Sequence, residues 1–200
     1  REKSRILHLG MDLRKFDDHR IDHGEHPLIL WNHRWEYDKN PNDFFGVLEK
    51  VREYGYNFKL AVMGENFSQY PDIFIDAHKS FENQIVQWGF TESFSDYAQW
   101  LWKADILPVT SNQEFFGASV MEAMYCDTWP ILPNRLTYPE LLPPDQHKDH
   151  LYSDDQDLFN KINWAIENYE QIKSLHFHSI AKPFDWEYMA PTYDSALEQI

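Results

Sequence analysis

The feature that most restricts the fold of this chain is an alternation of short apolar runs with segments of helical spacing. Each apolar run has the length of a buried strand, and each strand and helix together take about twenty residues. The runs are residues 28–31, 58–63, 85–90, 105–109 and 129–132. Strands that alternate with helices in this way form parallel sheets covered by helices. We therefore predict an α/β domain built on a doubly wound parallel sheet.

Local signals predict where some helices begin and end. Asn40 followed by Pro41 is typical of an N-cap and the first residue of a helix, which Gly55 is expected to close. Ser95 is predicted to cap another helix. Further helices are predicted over residues 71–80 and 155–174, and one more after Phe184.

The N-terminal part of the chain departs from this alternation. Residues 6–13 are predicted to form a short strand and a turn, and residues 17–26 a polar loop. A strand without a preceding helix suggests that the chain enters this domain from elsewhere.

Composition and charge limit the classes of function. The chain has 200 residues, of which 42% are hydrophobic, so it is about one globular domain. Its formal net charge of −15 repels phosphate backbones, so we do not expect this segment by itself to bind nucleic acid. The single Cys126 excludes an intrachain disulfide, and no apolar run reaches the roughly 18 residues of a membrane span. We expect a soluble, cytoplasmic protein.

The stretch from Thr110 to Glu122 joins a predicted strand to a predicted helix through one glycine, Gly117. The first turn of a helix presents unpaired backbone N–H groups and the positive end of the helix dipole. A glycine at that place lets a phosphate approach the backbone closely. We interpret this stretch as a candidate anion site.

Two glutamates flank this candidate anion site. Phosphate alone does not explain Glu114 and Glu122, because carboxylates repel it. They fit as hydrogen-bond acceptors for hydroxyl groups on either side of a phosphate, as in a sugar joined through a diphosphate to a ribose. The alternative is that Glu114 complements the helix dipole and that Glu122 is a solvated helix residue.

Two cations, Arg34 and Lys39, lie on the loop that follows the strand at residues 28–31. Taken alone they are ordinary solvated side chains. Loops at the carboxyl ends of parallel strands meet at one edge of the sheet, where ligands bind. We therefore expect this loop and the Glu114 loop to face one crevice that recognises an anion and hydroxyl groups.

The sequence argues against several other ligand classes. Neither Gly-x-Gly-x-x-Gly nor Gly-x-x-x-x-Gly-Lys is present, so a dehydrogenase or a P-loop enzyme is not expected. His19, His23 and His26 fit no common metal-ligand spacing. Asp155 and Asp157 lie at a predicted helix start, where capping explains them better than a metal does.

Together these residues resemble the sugar-donor motifs of retaining glycosyltransferase family 4. Four residues separate Arg34 from Lys39, and seven separate Glu114 from Glu122, with Phe116-Gly117 just after the first glutamate. Members of that family have the GT-B fold, in which two Rossmann-like domains face each other across a cleft. Longer strings resemble the tRNA-queuosine alpha-mannosyltransferase group, and these are residues 30–41, 114–117 and 138–140. The chain departs from the usual pattern at His33, where the family has a glycine before the arginine.

The resemblance implies a role for each site residue. Arg34 and Lys39 would hold the diphosphate, and Glu114 would accept hydrogen bonds from sugar hydroxyls, which makes these three the expected catalytic groups. Glu122 would bind ribose hydroxyls, and Phe90 lies where the family places the base. Sugar and phosphate would meet the backbone N–H groups of Phe116, Gly117 and Ala118.

The resemblance also implies a domain organisation. Residues 1–27 would be an interdomain linker, residues 28–183 a Rossmann-like nucleotide-sugar-binding domain, and residues 184–200 a helical segment that packs toward an N-terminal acceptor domain. The chain would then be the C-terminal half of a GT-B glycosyltransferase, and this half alone is expected to be inactive.

The implied reaction is metal-independent transfer with retention, without a cofactor, from a nucleotide sugar, GDP-mannose, to queuosine in tRNA. The tRNA would be reached through the N-terminal domain. Two alternatives remain open. One is a glycosyltransferase with a glycan or lipid-linked acceptor, and the other is a nucleotide-sugar-binding module that transfers nothing without its acceptor domain.

Overall fold

One parallel sheet organises the part of the chain that the computed structural model describes, residues 7–65 and 70–198. Its six strands lie in the order β3-β2-β1-β4-β5-β6, and every neighbouring pair is parallel. The strands are β1 (Leu28–Trp31), β2 (Lys59–Val62), β3 (Ile85–Trp88), β4 (Ile106–Pro108), β5 (Trp129–Pro133) and β6 (Leu151–Tyr152). The predicted doubly wound sheet is confirmed. Its order reverses between β1 and β4, the place where such sheets bind ligands.

Helices cover the sheet in two groups. Helix α1 contacts α2 and α6, and α4 contacts α3 and α8. None of the helices in the described part of the chain is long and apolar enough to cross a bilayer. The helices are α1 (Pro41–Glu53), α2 (Ile73–Ser80), α3 (Phe94–Lys103), α4 (Ala118–Tyr125), α5 (His147–His150), α6 (Asp155–Glu167), α7 (Tyr169–Ile172), α8 (His178–Ala181) and α9 (Trp186–Leu197).

Aromatic side chains fill the core beside β1. Trp31 is fully buried and meets Phe44 edge to face, with ring centroids 4.9 Å apart. Trp35, just after the strand, stacks on Phe74 with centroids 4.3 Å apart. All four residues of β1 are buried, as expected for a strand covered on both faces. This packing fixes Trp31 and Trp35, the residues on either side of the segment that contains Arg34, the first predicted cation.

The N-terminal segment differs from its prediction. Ile6 lies outside the described residues, and the rest of the predicted strand forms only a single bridge, from Met11 to Asp185. Where a polar loop was predicted to begin, Arg14–His19 form a 3-10 helix. The segment is held in this helix by Phe16, which is fully buried and packs against Phe94 with ring centroids 5.1 Å apart.

Two helix starts differ from the expected capping pattern. The cap of α3 is Ser93, whose hydroxyl accepts a hydrogen bond from the Asp96 N–H (3.0 Å), so the prediction of Ser95 was wrong. Helix α1 begins at Pro41 as predicted. Asn40 precedes it with a left-handed φ of 53°, but its side chain bonds the Asp43 carboxylate and caps no backbone N–H.

The predicted long helix over residues 155–174 is divided in the structure. Helix α6 ends before Asn168, whose φ of −105° departs from helical geometry, and α7 follows. The Asn168 side chain donates to the carbonyl of Trp164 (2.8 Å), a local bond that competes with helix continuation. At the start of α6, Asp154 accepts from the Asp157 N–H (2.9 Å), so the cap lies one residue before Asp155.

We predict that Gly64→Ala destabilises the fold by about 2–4 kcal/mol. Gly64 has a φ of 126°, and a Cβ there would lie 2.0 Å from the backbone oxygen of His33. Because that oxygen belongs to the backbone, a side-chain rotation cannot relieve the clash. The free energy of unfolding in urea is the measurement.

Gly46→Ala is the matched control. Gly46 lies in α1, and apart from its chain neighbours and the adjacent backbone of the helix no described atom lies within 4 Å of the position that its Cβ would occupy. We expect this substitution to stabilise the chain by up to about 1 kcal/mol, because alanine favours helices. Equal effects of the two substitutions would contradict the close approach at Gly64.

Candidate functional site

The loops that follow β1 and β4 are joined at the carboxyl edge of the sheet. The Asn112 N–H donates to the Asp38 carbonyl at 2.7 Å. The Thr110 hydroxyl lies 2.9 Å from the carbonyl oxygens of both Lys39 and Asn40. The loop with the predicted cations and the loop with Glu114 therefore form one continuous surface.

The Lys39 side chain connects these two loops directly. Only 10% of it is exposed, and its ammonium lies 3.4 Å from a Glu114 carboxylate oxygen. The same ammonium donates to the Gln113 carbonyl (3.1 Å) and lies 3.4 Å from the Asp38 carboxylate. A partly buried cation and a partly buried carboxylate are thus held side by side.

Glu114 is positioned by its own backbone as well as by Lys39. Its carboxylate accepts the N–H of Phe115 at 2.9 Å and that of Phe116 at 3.3 Å. Burial opposes ionisation of the carboxyl, but the Lys39 ammonium and the N–H groups of residues 115–117 outweigh it and lower the pKa of Glu114. The side chain is therefore ionised and can accept hydrogen bonds from hydroxyl groups.

Gly117 forms the N-cap of α4 in a conformation that other residues rarely adopt. Its φ is 94° and its ψ is 42°, and an added Cβ would lie 3.0 Å from the Leu141 side chain. This turn places the start of α4, at Ala118, directly after the Glu114 loop. The positive end of the helix dipole therefore lies beside the Lys39–Glu114 pair.

Arg34 lies on the same loop as Lys39 but is much more exposed. Its guanidinium pairs with the Glu36 carboxylate at 3.1 Å, and 54% of the side chain is accessible to solvent. The structure thus places Arg34 at the same edge of the sheet as Gly117, with its charge facing solvent. An exposed ion pair of this kind adds little to stability, so Arg34 is free to serve a ligand.

Glu122 is not the solvated helix residue of the alternative interpretation. Its carboxylate accepts a hydrogen bond from the Tyr97 hydroxyl at 2.7 Å. Burial raises the pKa of Glu122, and the Tyr97 hydroxyl and the charge of Lys15 act in the opposite direction. Tyr97, on α3, was missed by the sequence analysis because no local pattern distinguishes it from a core aromatic.

Two consecutive residues after β1, Asn32 and His33, hold the first turn of α4. The Asn32 amide donates to the Ser119 carbonyl at 2.8 Å, and His33 Nδ1 lies 3.0 Å from the Ser119 hydroxyl. Burial lowers the pKa of His33 to about 4, and the nearby Lys39 charge acts in the same direction. Only the departure at His33 from the expected glycine marked this pair in the sequence.

The remaining predicted residues lie around this centre. Phe90 follows β3 and is 62% exposed, and the Phe116 ring packs against Phe184 with centroids 5.6 Å apart. Of the histidines considered and set aside as metal ligands, His19 bonds Ser95 and His23 pairs with Asp105. In residues 7–65 and 70–198, no three His, Cys, Asp or Glu side chains are grouped as metal ligands.

The pKa of His33 predicts a specific dependence of stability on pH. The unfolded chain protonates this histidine near its ordinary pKa of 6.5, whereas the folded chain does so only near 4. As pH falls from about 6.5 to about 4, the unfolded state therefore gains a proton first and folding weakens. We expect this residue to remove up to about 3 kcal/mol of stability in that interval.

Urea unfolding of the wild type and of His33→Gln between pH 7 and pH 4 measures this contribution. The wild type should lose stability relative to the variant as pH falls, because the other titrating groups are common to both. Parallel profiles would contradict a neutral, buried His33.

Comparison with known proteins identifies the family. Residues 14–179 match the family model described as glycosyl transferases group 1. Over 134 residues the chain is 34% identical to a tRNA-queuosine alpha-mannosyltransferase of Drosophila melanogaster. The matched region covers 67% of this chain and 34% of the Drosophila protein.

Solved structures share the fold at low identity. Anabaena HepE in complex with UDP has a TM-score of 0.76 at 18% identity, over 100% of this chain and 58% of that one. The sucrose-phosphate synthase of Thermosynechococcus elongatus has a TM-score of 0.74 at 18% identity, over 98% of this chain and 52% of that one. The chain thus spans about a third of the curated relative and little more than half of these structures. It belongs to the glycosyl transferases group 1 family, and its sheet is a Rossmann-like domain matching GT-B glycosyltransferase structures.

Proposed function

We propose that this chain is the sugar-donor-binding half of a retaining glycosyltransferase that transfers mannose from GDP-mannose to queuosine in tRNA. The main support for binding of a nucleotide sugar is the 3.4 Å contact of Lys39 with Glu114 beside the start of α4. A nucleotide sugar offers an anion and hydroxyl groups next to each other, and this pair offers a cation and an acceptor. The choice of sugar and acceptor rests on the likeness to the Drosophila relative.

The diphosphate is the part of the sugar donor that the cations recognise. Lys39 reaches it from the side of the Glu114 loop, and Arg34 reaches it from solvent. Both neutralise the charge that grows on the leaving nucleotide, a task that a divalent metal performs in other enzymes. The N–H groups at the start of α4, beginning with Ala118, add to the same field.

The carboxylates recognise the sugars on either side of that diphosphate. Glu114 is ionised and accepts hydrogen bonds from hydroxyls of the transferred sugar. Glu122, in α4, and its partner Tyr97, in α3, serve the ribose hydroxyls, while Phe90 meets the base. In a retaining transfer of this kind, the leaving phosphate assists the incoming hydroxyl on the same face of the sugar.

The acceptor is met mainly outside this chain in our proposal. A net charge of −15 repels the tRNA backbone, so its phosphates require basic residues elsewhere in the full-length protein. A glycan or a lipid-linked acceptor would not need them. The HepE structure contains UDP, which makes a uridine-based sugar donor the specific alternative to GDP-mannose.

We predict that calorimetry on this chain detects binding of GDP-mannose and GDP, and weaker or no binding of UDP-glucose and UDP. We expect binding because, in our proposal, residues of this half alone form the diphosphate site. The guanosine and uridine compounds differ in their base, so recognition of the base distinguishes the two donors. Tighter binding of the uridine compounds would contradict GDP-mannose as the sugar donor and indicate a uridine-based donor in its place. Binding of none of the four would contradict the proposed function.

We also predict that Lys39→Met lowers kcat of the full-length protein about 100- to 1000-fold, which corresponds to the loss of one preorganised charge in the transition state. Arg34→Ala is expected to act in the same direction, with the fold intact because its charge is exposed. Lys50→Met is the matched control, since Lys50 is an exposed residue of α1. Wild-type turnover by Lys39→Met would remove this residue from the mechanism.

A further inference from the structure

His33 has one ring nitrogen bonded and the other without a partner. The residue is only 3% exposed, and Nδ1 lies 3.0 Å from the Ser119 hydroxyl in the first turn of α4. Nε2 is buried and has no hydrogen-bond partner among the described residues. A buried polar atom without a hydrogen-bond partner destabilises the folded state, so it requires an explanation.

The surroundings of the ring belong to the candidate site. The charged groups that act on His33 are Lys39, Glu114 and Asp38, which are the same groups that meet between the β1 and β4 loops. The Ser119 bond ties the ring to the start of α4. His33 therefore lies within the cluster that we propose to hold a diphosphate, and not on a separate face of the domain.

The hydrogen bond at Nδ1 determines what Nε2 can offer. When the Ser119 hydroxyl donates to Nδ1, the ring proton is on Nε2, and we assign this tautomer. Because burial keeps the imidazole neutral, Nε2–H is a neutral hydrogen-bond donor on a ring that the Lys39 charge influences. Such a donor suits a phosphate oxygen and adds no further positive charge to a site that already has two cations.

We propose that His33 Nε2 donates a hydrogen bond to the diphosphate of the bound nucleotide sugar. This inference rests on the proposed function, and it adds a ligand contact made by the side chain at the position where the family pattern has glycine. The contact requires Lys39 and Glu114, which pair in this structure, to separate as the diphosphate enters. In the complex the diphosphate then replaces Glu114 as the partner of Lys39.

The test compares two substitutions of His33 in the full-length protein, by residues whose side chains have similar lengths. His33→Gln keeps an N–H donor near the Nε2 position, whereas His33→Met has none. Calorimetry with GDP, UDP, GDP-mannose and UDP-glucose gives the affinity for the diphosphate, and ligand-observed NMR with guanosine and uridine gives the affinity for the nucleoside alone. His78→Gln, an exposed histidine of α2, is the control for loss of an imidazole elsewhere.

We expect His33→Met to weaken binding of the nucleoside diphosphate and of the nucleotide sugar about 10- to 100-fold, the usual effect of losing a hydrogen bond to a charged group. His33→Gln should remain within about threefold of the wild type, and nucleoside binding should not change in either variant. This pattern separates a phosphate contact from a packing role, which would affect the nucleoside as well.

Different results overturn different claims. If the wild type binds none of the diphosphates or nucleotide sugars, the proposed function itself fails. If the wild type binds them and His33→Met binds them equally well, only the assignment of His33 fails. The assignment also fails if both variants lose affinity alike, or if the loss is confined to the nucleotide sugar and spares the diphosphate.

Discussion

The contact between Lys39 and Glu114 is the interaction on which the site depends. It joins the loop after β1 to the loop after β4, and it places a cation and an acceptor beside the same helix start. Removing one member of a buried ion pair leaves the other uncompensated, so each charge restrains the other. In this structure Glu114 is a partner of the Lys39 ammonium, and in our proposal the diphosphate competes with Glu114 for it.

The topology of the sheet makes this contact possible. Because β1 and β4 are neighbours, their carboxyl ends open toward the same crevice although Lys39 and Gln113 are 74 positions apart in the chain. Asn32 and His33 then fasten the β1 loop to Ser119 in α4. Since the helix start and the cation loop are fixed to each other, their relative position does not depend on a ligand, as electrostatic preorganisation requires.

Much of this arrangement followed from the sequence, for physical reasons. Strands buried on both faces are continuous apolar runs, so β1, β2, β4 and β5 were predicted. The edge strand β3 is only partly buried but is still mostly apolar, whereas the two-residue β6 has no such run. The rule that parallel strands share a carboxyl edge brought Lys39 and Glu114 together correctly. The roles assigned to all of the site residues toward a ligand stay predictions.

What the sequence analysis missed depends on tertiary packing. The 3-10 helix at Arg14–His19 forms because Phe16 is buried against α3, and the chosen cap at Ser95 was wrong because Ser93 stands at the correct distance from Asp96. Tyr97 meets Glu122 only when α3 and α4 pack together. Single-residue patterns do not contain such information, because each partner looks like a core aromatic or a surface carboxylate until the helices meet.

A crystal structure of this chain with a bound nucleoside diphosphate tests the central claim most directly. We expect phosphate oxygens within about 3.2 Å of the Lys39 ammonium and of the N–H groups at the start of α4, with the Lys39–Glu114 pair separated. A diphosphate bound away from this helix start, with Lys39 still paired to Glu114, would contradict it.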